Sequence, residues 1–342
     1  MARNRKREID RPRRVMPWGD LPRGLHEAAD GLILIDKPQG VTSHDIVGAL
    51  RRLGATRKVG HTGTLDPMAT GLLTVAFGRA TKLVQYLTGA DKTYVARIVL
   101  GVGTDTDDAD GTPIVPSTDE VRAVNSIGSD QIDTAIAELT GQIQQVPATV
   151  SAKKIGGKRA HDLVRDGVQV DLAAQTVTIY RFERTSDVAS ESVQIGDKRY
   201  GTLAFDIAVD VSSGTYVRAL ARDLGAKLGV GAHLSMLRRE HVGRWDIAQA
   251  HTIEALRDRI TDGEELPVVG IDDVCAQTFS RIDIDGAEAE RLGRGLFIDR
   301  HDPIRIDGAN KWPACAFLGE QAIAIVSPRS KQLKPDLQIR IF

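Results

Sequence analysis

Gly60-His61-Thr62-Gly63-Thr64-Leu65-Asp66-Pro67-Met68-Ala69-Thr70-Gly71 carries three glycines in twelve residues, too many for a regular helix or strand. Glycine permits tight turns and lets a ligand approach the backbone closely. Asp66 precedes Pro67, and the proline ring pushes its backbone toward extended conformations, so its carboxylate is held on a loop. Two readings follow from the residues alone: a turn whose aspartate caps Ala69 or Thr70, or a loop that presents a carboxylate to a ligand.

Outward from this loop the pattern is regular. Before it, Gly31–Asp36 (GLILID) is a short apolar run stopped by Lys37-Pro38, which predicts a buried strand. Ser43 is placed to cap a helix whose apolar positions Ile46, Val47, Leu50 and Leu53 share one face. After the loop, residues 72–77 predict a strand, residues 80–87 a helix and residues 94–100 another strand. Leu203, Phe205, Ile207, Val209 and Val211 alternate as in a half-buried strand. Ser212-Ser213-Gly214 then leads into a helix with Val217, Leu220, Leu224 and Leu228 on one face, and residues 233–247 return to strand. Long strands joined irregularly by unevenly placed helices indicate α+β rather than alternating βαβ. Beyond residue 255 short strand-like pieces and turns predict a second, small β-rich domain.

The chain has 342 residues, 42% hydrophobic and 27% charged, which suits a globular protein of two domains. No apolar run reaches the ~18–20 residues of a membrane span, and the basic start lacks the apolar stretch of a secretion signal. Cys275 and Cys315, far apart in sequence, exclude a disulfide scaffold and a thiolate cluster and fit a reducing, cytoplasmic setting. Net charge is −1, but the charges are segregated. Seven basic residues crowd into positions 1–14, nine acidic ones into 104–140, and Lys153, Lys154, Lys158, Arg159 and Arg165 into 151–165. Separate positive surfaces of this kind suit a polyanion. Residues 1–24, rich in arginine and proline without periodicity, read as a disordered arm.

Several familiar signatures fail. Gly101-Val102-Gly103 lacks the third glycine of a dinucleotide loop, and GxxxxGK[ST], HExxH and GxSxG are all missing. Asp107-Asp108-Ala109-Asp110-Gly111 hints at a calcium loop, but the register puts Thr106 first and Ser117 twelfth, where carboxylates are needed. A turn with capping carboxylates is the simpler reading.

The opening stretch, GHTGTLDPMATGLL, with Gly78-Arg79-Ala80-Thr81-Lys82 after it, resembles the catalytic loop of the TruB family of tRNA pseudouridine synthases, whose signature is GHxGxLDPxAxGxL followed by GxATK. The resemblance extends in order over residues 31–245. Asp36-Lys37-Pro38 with Gly40-Val41-Thr42-Ser43 is similar to the family's DKPxGxTS, and Lys92-Thr93-Tyr94 to its KxY. Leu100-Gly101, Thr104-Asp105-Thr106 and Asp110-Gly111 resemble LGxxTDTxDxxG, and Gln145-Val146-Pro147 with Ser151-Ala152 and Lys154 resembles QxPPxxSAxK. Ser213-Gly214-Thr215-Tyr216-Val217-Arg218 is similar to SGTYIR, and His233-Leu234 with Leu237-Arg238-Arg239 to HxxxLRR. Ala148 replaces the second proline of QxPP, and His161 stands where the family has tyrosine. The tail is loosely similar to a PUA domain.

This resemblance implies an α+β pseudouridine synthase fold: a catalytic domain over 25–255 with a mixed, mainly antiparallel central sheet, a basic thumb-like insertion near 147–167, and a PUA-like domain over 270–342. It implies isomerisation of uridine 55 in the T-loop of tRNA, with no cofactor and no metal. Asp66 is the implied catalytic carboxylate, with Arg218 as its salt-bridge partner and Tyr94 as a stacking ring whose hydroxyl moves a proton. His61 is implied to fill the stack vacated by the flipped base, and Tyr216 and Leu237 to line the uracil pocket. Lys153, Lys154, Lys158 and Arg159 would grip the T-arm through phosphates. The rival reading is a non-catalytic tRNA-binding or tRNA-folding module.

Overall fold

The computed structural model describes residues 16–148, 154–155, 158–159, 173–299 and 313–341. Its first half supplies β1 (Gly31–Lys37), β2 (Val59–His61), β3 (Thr70–Phe77), β4 (Lys92–Leu100) and β5 (Gly141–Gln145). A short ladder follows, pairing β6 (Lys154–Ile155) with β7 (Lys158–Arg159). The second half adds β8 (Gln175–Arg184), β9 (Ala189–Ile195), β10 (Lys198–Val211), β11 (Ala232–Val242), β12 (Trp245–Asp246) and β13 (Val269–Gly270). The last strands are β14 (Arg281–Asp283), β15 (Ile298–Asp299), β16 (Ala314–Leu318), β17 (Gln321–Arg329) and β18 (Gln332–Gln338).

The main sheet has eleven strands along the path β13-β1-β3-β11-β4-β10-β8-β5, with β12, β2 and β9 paired off it. All its ladders are antiparallel except β3 with β11, so the sheet is mixed and mainly antiparallel, as expected. β14, β15, β16, β17 and β18 form a separate five-stranded sheet that supplies the expected β-rich C-terminal part.

Why residues 32–35 are apolar throughout is now plain. Successive side chains of a strand point to opposite faces, and here both faces are covered. Ile33 and Ile35 enter one core with the helix Ser43–Leu53, the helix Val217–Lys227 and the helix Ile253–Thr261. Leu32 and Leu34 enter a second core, in which Cys275, Cys315, Phe317 and Ile325 seat the C-terminal sheet on the back of the main one.

Local expectations held with adjustments. Thr42, not Ser43, caps the first helix: its Oγ1 accepts from the Asp45 N–H (3.1 Å) while the Asp45 carboxylate accepts from the Thr42 N–H (2.7 Å). Such a capping box contributes about 1 kcal/mol and frees Ser43 for a tertiary role. The glycine-rich stretch is not wholly irregular, since β2 ends at His61 and β3 begins at Thr70. Residues 80–87 divide into a 3₁₀ turn, Gly78–Leu83, and one α-helical turn, Val84–Leu87. The boundary drawn at residue 24 also moves. Trp18 and Leu21 are buried in the main core, and the Trp18 carbonyl accepts from Arg257 (3.1 Å). Residues 1–15 lie outside the described residues.

Candidate active site

The loop that carries Asp66 is tied down at several points. Ser43 Oγ donates to the Leu65 carbonyl (3.0 Å) and accepts from the Leu65 N–H (2.9 Å). The Gly40 N–H donates to the Pro67 carbonyl (2.8 Å). Lys37, fully buried, donates its ammonium to the carbonyls of Val41 (2.8 Å), Pro38 (2.9 Å) and Pro67 (3.4 Å). Leu65, Met68 and Ala69 anchor the loop in the core. Asp66 is thereby left on an immobilised backbone with its carboxylate 39% exposed, while the residues on either side are held.

Arg218, at the start of the helix Val217–Lys227, meets that carboxylate: Nη2 lies 2.9 Å from Asp66 Oδ2. Its Nη1 donates to Asp108 Oδ2 (3.0 Å) and to the Thr106 carbonyl (2.7 Å). The Arg218 and Asp108 side chains are only 5% and 6% exposed. A guanidinium buried between two carboxylates is paired on both edges, as a buried charge must be. Asp107 pairs in turn with Arg222 (3.1 Å), although burial pushes its carboxyl above the usual range against the pull of Arg222 and Arg218. The acidic stretch read as a capped turn does contain such bonds, with Asp108 Oδ1 accepting from the Asp110 N–H (3.1 Å). Its principal task is to hold the arginines of the neighbouring helix.

Asp66 and Arg218 sit in a cleft of about 310 Å³, at the small end of ligand-binding pockets. Tyr94 from β4, Tyr216 before the helix and Leu237 from β11 line the same cleft. Gln145, fully buried at the end of β5, fixes Tyr216 by a reciprocal pair: its Oε1 accepts from the Tyr216 N–H (2.9 Å) and its Nε2 donates to the Tyr216 carbonyl (3.2 Å). Gly71 has φ of +97°, and a Cβ there would lie 2.2 Å from the Arg239 carbonyl oxygen. Only glycine lets β3 pass this close beside β11, which brings the loop over Leu237 and Arg239.

Five expected residues thus converge: Asp66, Arg218, Tyr94, Tyr216 and Leu237. His61 does not line the cleft; it lies half-buried at the end of β2, paired in register with Val75. Lys153 falls outside the described residues, and of Lys154, Lys158 and Arg159 only the backbone ladder is described. Asp108, Gln145, Lys92 and Arg239 were not singled out as site residues, although each stands at a fixed position of a quoted motif; counted from Leu100, the last D of LGxxTDTxDxxG falls on Asp108. Their positions inside those motifs were the available signal.

The sequence family follows from direct comparison. The model of "TruB family pseudouridylate synthase (N terminal domain)" matches residues 51–217, and that of the "tRNA pseudouridylate synthase B C-terminal domain" matches residues 218–269. A tRNA pseudouridine synthase B from Mycobacterium sp. (strain KMS) is 48% identical over 280 residues, 81% of this chain and 86% of its own. The chain belongs to the TruB family. The TruB relative from Mycolicibacterium paratuberculosis, also called tRNA pseudouridine synthase B, is 45% identical over 315 residues, 91% of this chain and 97% of its own. Membership makes the chain an isomerase of the pseudouridine synthase class. Among solved structures, the TruB chain shares its fold with a chain of the archaeal box H/ACA sRNP Nop10-Cbf5 complex, at TM-score 0.63 and 24% identity over 91% of this chain and 86% of that one. A chain from an H/ACA RNP bound to a substrate RNA containing 2′-deoxyuridine gives TM-score 0.62 at 23% identity, over 91% and 84%.

Proposed function

We propose that the cleft isomerises uridine 55 in the T-loop of tRNA to pseudouridine. The observation that carries this reading is the Asp66–Arg218 pair on the floor of a cleft walled by Tyr94, Tyr216 and Leu237. A uridine inside a folded loop must leave the stack to reach such a floor. Tyr94 then offers its ring to the base, with Tyr216 and Leu237 closing the pocket around the uracil. His61, outside the cleft lining, is assigned to the vacated place in the T-loop stack.

Asp66 starts the chemistry either by attacking C1′ or by taking the 2′ proton. The N1–C1′ bond breaks, the uracil rotates within the cleft, and C5 bonds to C1′. The proton on C5 is lost and N1 gains one, so the reaction is an isomerisation without net redox change. Arg218 aims the carboxylate through a charge-assisted hydrogen bond. The Tyr94 hydroxyl is assigned to proton movement.

The basic segment Lys153, Lys154, Lys158 and Arg159 would hold the T-arm by its phosphates, and recognition would rest mainly on loop shape and the extruded base. No helix among the described residues is long and apolar enough to cross a membrane. We assign the protein to the cytoplasm, where tRNA is its substrate. The test is direct: purified protein is incubated with unmodified tRNA, and pseudouridine is mapped by position. Pseudouridine at position 55 is expected; its absence, or its appearance elsewhere only, would overturn the assignment.

A further inference from the structure

We propose that Lys92 and Arg239 form an anion site for a phosphodiester of the nucleotide flipped into the cleft, with Lys92 making the direct contact. The proposal rests on the reading of the cleft as the seat of a flipped tRNA uridine.

Lys92 opens β4 two residues before Tyr94, so the two side chains leave the same face of the strand. Arg239 lies opposite Tyr94 in the β4–β11 register. All three line the cleft. The two cations also converge on the catalytic loop: a Cβ on Gly63 would be 3.6 Å from Arg239 Nη1 and 3.9 Å from Lys92 Cε.

Neither cation is in an ion pair with a carboxylate among the described residues, and Asp91 attracts Lys92 only from a longer range. Arg239, 1% exposed, donates Nε to the Leu72 carbonyl (2.7 Å) and Nη2 to the Gly63 carbonyl (3.2 Å). Lys92 donates to the carbonyls of Thr88 (3.0 Å) and Ala90 (2.6 Å), which leaves one ammonium N–H for a ligand. At the other pole of the cleft, by contrast, Arg218 is matched by Asp66 and Asp108. The cleft therefore has one neutralised pole and one positive pole. Two like charges brought together and desolvated without a counter-ion are costly, and an arriving anion relieves that cost.

Position favours a phosphate over a uracil oxygen. Lys92 stands at the rim, beside the exposed residues Thr88, Gly89 and Asp91, whereas Tyr94 behind it is buried. A nucleotide whose C1′ meets Asp66 and whose base enters against Tyr94 leaves its phosphodiester at the rim. An ammonium is a compact point charge suited to a phosphate oxygen. Burial and the neighbouring Arg239 push the Lys92 ammonium down to about 8, against the opposing pull of Asp91. Asp66, Arg218, Tyr94 and Tyr216 are the other ionisable groups facing this cleft.

The test is tRNA affinity measured across salt concentrations and from pH 7 to 9 for the parent, Lys92→Gln and Lys92→Arg. Losing one phosphate contact on a single strand lowers the log–log salt slope by about 0.7, and this is the change expected for Lys92→Gln but not for Lys92→Arg. The parent must carry a proton on Lys92 to bind the anion, so its affinity should fall as pH rises past about 8 and level off at the Lys92→Gln value. Lys92→Arg, which stays charged, should lose that pH dependence. An unchanged salt slope for Lys92→Gln, or a slope unchanged while single-turnover chemistry slows, would overturn the phosphate site; the second result would place Lys92 against the uracil. If the parent itself forms no pseudouridine in tRNA, the functional reading fails instead, and the salt slopes still report whether Lys92 meets a phosphate.

Discussion

Asp66 and Arg218 meet at 2.9 Å across a large step in exposure: the carboxylate is 39% accessible and the guanidinium 5%. The arginine belongs to the protein interior and the aspartate to the cleft. Arg218 is anchored and Asp66 faces the cleft, an arrangement that orients the carboxylate before any ligand arrives.

Asp66→Asn should abolish turnover while leaving tRNA binding within about tenfold, a loss of about 1.4 kcal/mol or less. The amide is nearly isosteric, and the Ser43, Lys37 and Gly40 bonds that hold the loop do not involve the Asp66 side chain. Pseudouridine formation at a substantial rate by pure Asp66→Asn protein would remove the carboxylate from the mechanism. Retained binding without turnover would also separate the catalytic reading from that of a tRNA-folding module.

Asp108→Ala should both destabilise the fold and slow the reaction. Breaking a buried ion pair costs about 3 kcal/mol at the low end, and Arg218 keeps Asp66 and the Thr106 carbonyl as partial compensation. Urea unfolding would read the stability loss, and single-turnover rates well below the stability threshold would read the loss of Arg218 positioning. A variant as stable and as fast as the parent would show that Asp66 alone suffices to place Arg218.

Tyr94→Phe should slow the chemical step by about 10²-fold, the low end of general acid–base contributions, with little change in affinity. Stacking survives because the ring is kept, while the hydroxyl is lost. Single-turnover rates equal to the parent's would make Tyr94 a packing residue only.

The basic segments should contribute unequally. Replacing Lys153, Lys154, Lys158 and Arg159 by alanine should weaken tRNA binding strongly and reduce its salt slope, by somewhat less than about 0.9 per lost contact on flexible RNA. Deleting residues 1–14 should matter less, and mainly at low salt, because a segment without apolar anchors adds only screened attraction. A larger effect of the deletion would move the RNA grip to the N-terminal arm.

How much of this was legible in the chain follows from the range of each interaction. Strand alternation at Leu203–Val211, the helical face Ile46–Leu53 and the constraint of Pro67 on Asp66 are local effects, written in neighbouring residues. The run of matched motifs added the family and singled out Asp66, Arg218, Tyr94, Tyr216 and Leu237. Even so, Thr42 rather than Ser43 became the cap, because a tertiary bond to Leu65 competes for the Ser43 hydroxyl.

What only the tertiary structure decided is who meets whom. Arg218 and Asp108 are 110 residues apart, and Gln145 and Tyr216 are 71 apart. No local periodicity encodes such pairs. They arise from the sheet order: Asp108 bridges to Leu234 of β11, and β8 joins β5 to β10, whose end leads to Tyr216. The sequence by itself placed Asp66 on a loop before Pro67 and determined the elements that carry it. Sheet packing decided its neutralising partners and the positive pole across the cleft, because burial turns charges distant in sequence into obligatory neighbours.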